Sequence, residues 1–105
     1  MILVIVHHYL KPGTVEQAVG RLDANGERMA RQPGYQFRYR LVSQEDPLKL
    51  STVTGWDSVE AYEAWLQARR GGDPGPAFAG ESPYVRTETE VHRVERADVG
   101  AASAA

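Results

Sequence analysis

Two adjacent histidines, His7 and His8, are the residues of this sequence best suited to acid-base chemistry. They follow the apolar N-terminal run MILVIV. An imidazole ionises near neutral pH and can therefore take up a proton under physiological conditions. Neighbouring side chains of a strand point to opposite faces, so these two cannot bind one metal ion together. We expect His8 to act as a catalytic base. A hydrogen-bonded structural role is the alternative, and strand parity alone leaves open which histidine faces the helices.

The sequence predicts no metal site and no cofactor. It contains no cysteine, and its His, Asp and Glu residues show no spacing typical of metal ligands. It also lacks a nucleophile elbow, a phosphate-binding glycine loop and a dinucleotide fingerprint. Gly71-Gly72 neither follows a strand nor opens a helix. We therefore expect any chemistry to depend on side chains alone.

Three aromatic residues, Trp56, Tyr62 and Trp65, are spaced to meet the end of the first strand. A helix that begins at Asp57 rises about 12 Å by Trp65, which brings this indole and the Tyr62 phenol back toward the histidines. Apolar walls with a few polar groups are typical of ligand pockets. The same spacing is also typical of an ordinary hydrophobic core. We expect a pocket here, with residues 69–83 above it either as a lid or as a disordered loop.

Arginines occur in two close pairs, Arg38 with Arg40 and Arg69 with Arg70. We interpret both pairs as solvated surface or dimer contacts, with binding of an anionic substrate as the alternative. His92 lies late in the last predicted strand and is expected to be solvated.

The hydrophobic pattern predicts the element order strand-helix-strand-strand-helix-strand. Capping-box spacing places the helix starts at Thr14 and Asp57, and the first helix carries an apolar stripe. The predicted strands cover residues 2–9, 35–42, 48–56 and 84–96. The capping partners are Gln17 and Glu60, and the stripe is Val15, Val19, Leu22, Gly26 and Met29.

Two right-handed βαβ units that share one sheet give an α+β fold of four antiparallel strands in the order 4-1-3-2, with both helices on one face. The first strand is apolar on both faces and belongs in the centre of the sheet. The face without helices would be bare in a monomer. We therefore expect a second copy of the chain to cover it.

Length and composition are those of one globular domain. The chain has 105 residues, of which 42% are hydrophobic and 25% charged, and a formal net charge of -2. Without a basic excess, nucleic acid is not an expected partner. The apolar start is too short for a signal peptide or a membrane span, which predicts no membrane association and a cytoplasmic protein. We expect the domain to cover residues 1–96 and residues 97–105 to be a disordered tail.

The stretch "QPGYQFRYRLVSQEDPLKLSTVTGWDSVEAYEAWL", residues 32–66, resembles the antibiotic-biosynthesis-monooxygenase superfamily. The resemblance is carried by Pro33-Gly34 before an alternating strand and by Trp56-Asp57-Ser58 at the end of the hairpin. Tyr62 and Trp65 follow that tryptophan by six and nine positions. The resemblance implies a ferredoxin-like homodimer in which two sheets form an α/β barrel.

Two branches of this superfamily suggest activities. Cofactor-independent oxygenases oxidise phenolic compounds with O₂; Trp56 and Tyr62 match their pattern, and Thr52 stands at their asparagine position. Haem-degrading members match at Trp65, with His7-His8 where they have an asparagine. The resemblance implies an oxygenase of a small phenolic or quinol substrate.

In this hypothesis His8 and Tyr62 are catalytic, and the substrate, a small aromatic molecule, is bound by His7, Trp56, Trp65 and Thr52. A non-catalytic dimeric binding or stress-response module and a haem-binding protein are the alternatives.

Overall fold

The computed structural model describes residues 1–100 and confirms the predicted element order. The elements are β1 (Ile2–Leu10), α1 (Val15–Met29), β2 (Tyr35–Val42), β3 (Lys49–Trp56), α2 (Val59–Gly71), a short 3₁₀ helix (Pro76–Phe78) and β4 (Tyr84–Arg93). The last strand therefore ends three residues before the predicted 96. The tail predicted for residues 97–105 extends beyond the described part of the chain, and its disorder stays a prediction.

The four strands form one antiparallel sheet in the order β2-β3-β1-β4, which is 4-1-3-2 counted from the other edge. The predicted ferredoxin-like α+β fold is thus confirmed. Strand β1 lies inside the sheet, between β3 and β4. This position agrees with its apolar residues on both faces, a pattern typical of strands that are buried on both faces. In this register His8 lies opposite Leu50 of β3 and Thr87 of β4. No helix within residues 1–100 is long and apolar enough to cross a membrane.

The core lies between the sheet and the helices, in two clusters at opposite ends of β1. One cluster surrounds Trp56 and Trp65, and the other surrounds Leu10 and Leu22. The stripe predicted for α1 was partly wrong, because Val15 is exposed. The buried face of α1 is instead centred on Ala18, Arg21 and Leu22. A search for large apolar residues does not detect a face that contains an alanine and an arginine.

Both predicted capping boxes were wrong in detail. The N-cap of α2 is Ser58, one residue after the predicted Asp57, and its hydroxyl accepts a hydrogen bond from the Ala61 backbone N–H at 3.2 Å. The Thr14 hydroxyl does not cap α1. It donates to the backbone oxygens of Lys11, at 2.7 Å, and Pro83, at 3.2 Å. The start of α1 is thereby tied to the segment that precedes β4.

The segment from 69 to 83, predicted to be irregular, is irregular over residues 72–75 and 79–83 and contains two regular stretches. Helix α2 continues to Gly71, and the 3₁₀ helix follows. Arg21 holds the segment from below: its Nη2 donates to the backbone oxygens of Phe78 and Gly80, both at 3.3 Å, and its guanidinium stacks on the Phe78 ring at 5.4 Å. Charge-assisted hydrogen bonds of this kind are among the stronger ones in proteins. They fix the segment as a roof over the helix-facing side of the sheet.

Candidate functional site

A cavity of about 560 Å³ lies between the sheet and the two helices. Its floor is formed by β1, β3 and β4, and α2 contributes Tyr62 and Trp65 to one wall. Pro74 and Phe78, from the segment held by Arg21, line its upper side. This volume is within the range typical of small-molecule sites. The predicted pocket between helix and sheet is therefore present. The segment that Arg21 holds closes its upper side.

His8 is the titratable residue of β1 that faces this cavity. Its side chain is only 8% exposed, and its ring centroid lies 5.0 Å from that of Tyr84. Nδ1 lies 3.1 Å from the backbone oxygen of Leu50. Because a carbonyl oxygen can only accept, Nδ1 carries the hydrogen. Nε2 is then left with its lone pair, and it has no hydrogen-bond partner among residues 1–100.

The surroundings of His8 favour its neutral form. Burial lowers its pKa below the ordinary value of 6.5, because the charged imidazolium loses solvation. The hydrogen bond to Leu50 works in the opposite direction, and the positive charges of Arg38 and His7 add to the lowering. At neutral pH, His8 is therefore an uncharged imidazole with a free acceptor nitrogen.

His7 points to the other face of the sheet, away from the helices. Its Nδ1 lies 2.7 Å from the Ser51 hydroxyl and its Nε2 lies 3.1 Å from a Glu90 carboxylate oxygen. The second oxygen of Glu90 contacts His92 at 2.9 Å. His7 is not among the described residues that line the cavity. The structure thus separates the two histidines, and only His8 can reach a ligand in the cavity.

Of the three predicted aromatic residues, two line the cavity and the third packs behind them. Trp65 and Tyr62 line the cavity, and burial raises the pKa of the Tyr62 phenol. Thr52 lines it as well. Trp56 is 0% exposed and is absent from the described lining. It packs behind Tyr62, with ring centroids 6.1 Å apart, and its indole N–H donates to the Thr54 hydroxyl at 3.1 Å.

The sequence of residues 1–71 matches the model of the antibiotic biosynthesis monooxygenase family. The chain belongs to the antibiotic biosynthesis monooxygenase family. The match includes β1, both helices and the hairpin, and therefore most of the residues around the cavity. No functionally curated protein matches the sequence significantly.

Solved structures of this family have the same fold. The haem-degrading MhuD of Mycobacterium tuberculosis, with two haems bound, superimposes with a TM-score of 0.71 at 19% identity over 95% of this chain and 100% of its own. SnoaB, a cofactor-independent oxygenase of Streptomyces nogalater, gives 0.71 at 14% identity over 91% and 95%. Another protein described as an antibiotic biosynthesis monooxygenase gives 0.73 at 15% identity over 90% and 98%. These identities are low enough that the likeness concerns the fold.

The cavity also has a basic wall, whose residues Arg38, Arg69 and Arg70 were interpreted as solvated surface or dimer contacts, with binding of an anionic substrate as the alternative. Arg28, Arg38, Arg69 and Arg70 line the cavity, and the described lining contains no aspartate or glutamate. Alternation along β2 placed Arg38 on the polar, presumed solvated face, whereas this face is the one that packs beneath the helices. Tyr84 was also missed; burial raises its pKa. For Arg38, the sequence did contain a signal: the two faces of β2 differ, since arginines alternate with tyrosines along the strand.

No group of three or more His, Asp or Glu residues within the described chain is arranged to hold a metal ion. The site as described consists of a neutral histidine, two phenols, an indole and several guanidinium groups. These groups can remove a proton from a weak acid, stack on an aromatic ring and attract negative charge.

Proposed function

We propose that this chain is a cofactor-independent monooxygenase that oxidises a small phenolic substrate with O₂. The observation that carries the proposal is the buried, neutral His8 with a free Nε2 in a cavity walled by Trp65 and Tyr62. A buried base beside aromatic walls is suited to the formation and oxidation of a phenolate. The fold shared with SnoaB, described as a cofactor-independent oxygenase, is consistent with this proposal.

The proposed reaction uses one O₂ for each phenol. His8 Nε2 takes the phenolic proton, and the phenolate passes one electron to O₂, which gives a phenoxyl radical and superoxide. The two radicals combine at the carbon para to the oxygen, and His8 returns its proton to the peroxide. Loss of water then leaves a para-quinone. One oxygen atom of O₂ ends in the quinone and the other in water, so no external reductant is needed.

The other residues of the site have supporting roles in this proposal. Tyr62 donates a hydrogen bond to the substrate, which it can do as a neutral phenol because its pKa is raised. Trp65 stacks on the ring, and Thr52 offers a hydroxyl from the floor. Trp56 acts through Tyr62, on which it packs. His7 has no proposed substrate contact, because its side chain lies on the far face of the sheet.

The test is oxygen uptake with 1-naphthol, whose para position is free. In air-saturated buffer containing a chelator and no added flavin, we expect one O₂ consumed for each 1,4-naphthoquinone formed. With ¹⁸O₂, one labelled atom should appear in the quinone. A panel of polycyclic phenols and hydroquinones extends the search for the substrate. If hydrogen peroxide is formed and the quinone carries no ¹⁸O, the proposed monooxygenation is contradicted.

The pH dependence of this activity follows from the lowered pKa of His8. The base must be neutral, so kcat/KM should fall as pH falls through the His8 pKa, by roughly tenfold per unit on the acid limb. Because this pKa lies below 6.5, the half-maximal point should lie below 6.5 as well. Stability should change in the same direction: between the folded pKa and 6.5 the unfolded chain binds more protons, so stability rises with pH. A half-maximal point above 6.5 would argue against His8 as the base.

Haem binding is the second candidate function. It is favoured by the free Nε2 of His8, which could ligate iron, and by cavity arginines that could pair with haem carboxylates. Titration with haemin distinguishes the two. A shifted Soret band that is lost in His8→Ala would support haem binding, whereas an unshifted band would remove this candidate. The non-catalytic binding or stress-response module would have been favoured by a pocket filled with the chain's own side chains, and this cavity is not filled.

We also propose that the chain forms a homodimer through the sheet face without helices. Tyr39 is 63% exposed there, and Leu41 beside it is also exposed. Apolar patches of this kind mark contact surfaces.

Light scattering should give twice the mass of one chain, and Tyr39→Glu should give a single-chain mass. Val59→Glu, on the exposed side of α2, is the matched control and should remain dimeric. A wild-type monomer at micromolar concentration would contradict the proposal. The cytoplasmic location stays a prediction.

A further inference from the structure

One end of the cavity carries four arginines, and no aspartate or glutamate is among the described residues that line it. None of the guanidinium groups of these arginines forms an ion pair or donates a hydrogen bond within residues 1–100. By contrast Arg40, two residues from Arg38 on the same face of β2, is paired with Asp23. Unpaired guanidinium groups in a concave site raise the local concentration of anions. The charge pattern therefore points to a negatively charged ligand group.

Among these arginines, Arg38 is the one whose guanidinium has a buried nitrogen without a partner. Its Nε is buried and has no hydrogen-bond partner in the described structure, and burial lowers its pKa. A buried donor without an acceptor costs free energy, so such groups are normally satisfied by a ligand or water. Asn25 Oδ1, an acceptor on the same cavity wall, is buried without a partner as well, and no hydrogen bond joins it to Arg38 within residues 1–100. The Arg38 guanidinium therefore has no acceptor within residues 1–100, and an anionic group in the cavity would supply one.

Gly26 shows that the fold makes room for this guanidinium. A Cβ at this position would collide with Nη1 of Arg38. Glycine in the middle of a helix is less favourable than alanine, so α1 carries a local penalty here. The missing Cβ leaves this space to the guanidinium tip of Arg38, which would otherwise have to shift. The Arg38 guanidinium thus lies against α1, at the cavity wall.

We propose that Arg38 binds a carboxylate on the aromatic substrate, so that the enzyme is selective for phenolic acids over neutral phenols. The guanidinium fork matches a carboxylate in a two-bond geometry. Arg28, which lies over the Trp65 ring at 5.8 Å, adds charge at the same wall. The placement of the phenol beside His8 rests on the proposed oxygenase function, whereas the contact between Arg38 and the carboxylate does not.

Calorimetry with two ligands that differ only in the carboxylate tests this inference. The pair is 1-hydroxy-2-naphthoate and 1-naphthol, measured without O₂ so that no turnover interferes. We expect the acid to bind the wild-type protein roughly tenfold to a hundredfold more tightly, as is typical of a charge-assisted hydrogen bond in a partly buried site. Arg38→Gln should bring the two affinities together. Arg40→Gln removes the same charge from the same strand face and should keep most of the preference.

Equal affinities of the wild-type protein for the two ligands would overturn the inference, and this comparison needs no variant. An equal loss in Arg38→Gln and Arg40→Gln would also overturn it, because a general field rather than a specific contact would then be responsible. Tighter binding of 1-naphthyl phosphate than of the acid would overturn the carboxylate assignment. If the acid binds selectively through Arg38 but no oxygen is consumed, the proposed oxygenase function fails and the carboxylate site stands.

Discussion

Replacing His8 with alanine is expected to lower kcat/KM for the oxygen-dependent conversion of 1-naphthol by roughly a hundredfold or more, the usual contribution of a general base. The variant loses the only imidazole that faces the cavity within the described chain. It also loses one hydrogen bond, from Nδ1 to Leu50. We expect the fold to tolerate that loss, since a single neutral hydrogen bond contributes about 1 kcal/mol. Oxygen consumption and quinone absorbance measure the rate, and circular dichroism measures the fold.

Two comparisons separate a base from a structural histidine. His92→Ala removes an exposed imidazole from the opposite side of the sheet and should leave the rate within about twofold of wild type. Added imidazole should partly restore turnover to His8→Ala, because the deleted side chain leaves a space beside the phenol. A folded His8→Ala protein that turns over at the wild-type rate would show that another group removes the proton.

Replacing Trp56 with alanine is expected to lower the free energy of unfolding by roughly 3–5 kcal/mol, the range for a large aromatic residue in a core. Trp56 is 0% exposed, and its ring packs against Tyr35 at 5.8 Å and Tyr62 at 6.1 Å. Its removal would leave a cavity beside the cluster that joins β1 to α2 and would also leave the Thr54 hydroxyl without its indole donor. Urea unfolding followed by circular dichroism at a fixed chain concentration measures the change.

Val59→Ala is the matched control for this experiment. Val59 opens α2 and is 40% exposed, so its truncation should change the free energy of unfolding by less than about 0.5 kcal/mol. An intermediate effect is expected for Trp56→Phe, which retains a ring but loses the hydrogen bond to Thr54. If Trp56→Ala unfolded at the same urea concentration as wild type, the cluster around Trp56 would not stabilise the domain in the way that its burial indicates.

The order of the elements and the order of the strands followed from local patterns. Alternation predicted β2 to its observed bounds of residues 35–42, and the capping and breaker residues placed the helices within a few residues. Such patterns are readable because each depends on a few neighbouring residues and on one solvent-facing side. The details of the caps were not predictable in this way. Thr14 has the right residue type, but its hydroxyl bonds to Pro83, which is distant in the sequence.

The faces of the strands were harder to assign than the strands themselves. A shift in register between Tyr35 and Phe37 places Tyr35 against Trp56 in the helix-facing core, while Phe37 and Tyr39 stack on the open face. Simple alternation had placed all three on one side. A bulge adds one residue to a strand and inverts the parity on one side of it. Its position depends on pairing with β3, which no local pattern records.

That one histidine of β1, Tyr62 and Trp65 meet between helix and sheet could be predicted from the amino-acid order alone, and their chemical roles stay a prediction. Whether His7 or His8 enters the cavity could not be predicted, because β1 is apolar on both faces and the difference appears only when helices cover one of them. The role of Arg38 likewise depended on its approach to Gly26, a contact between β2 and α1. An arginine on a strand is normally solvated, and only packing of the helix over it made this one part of a cavity wall.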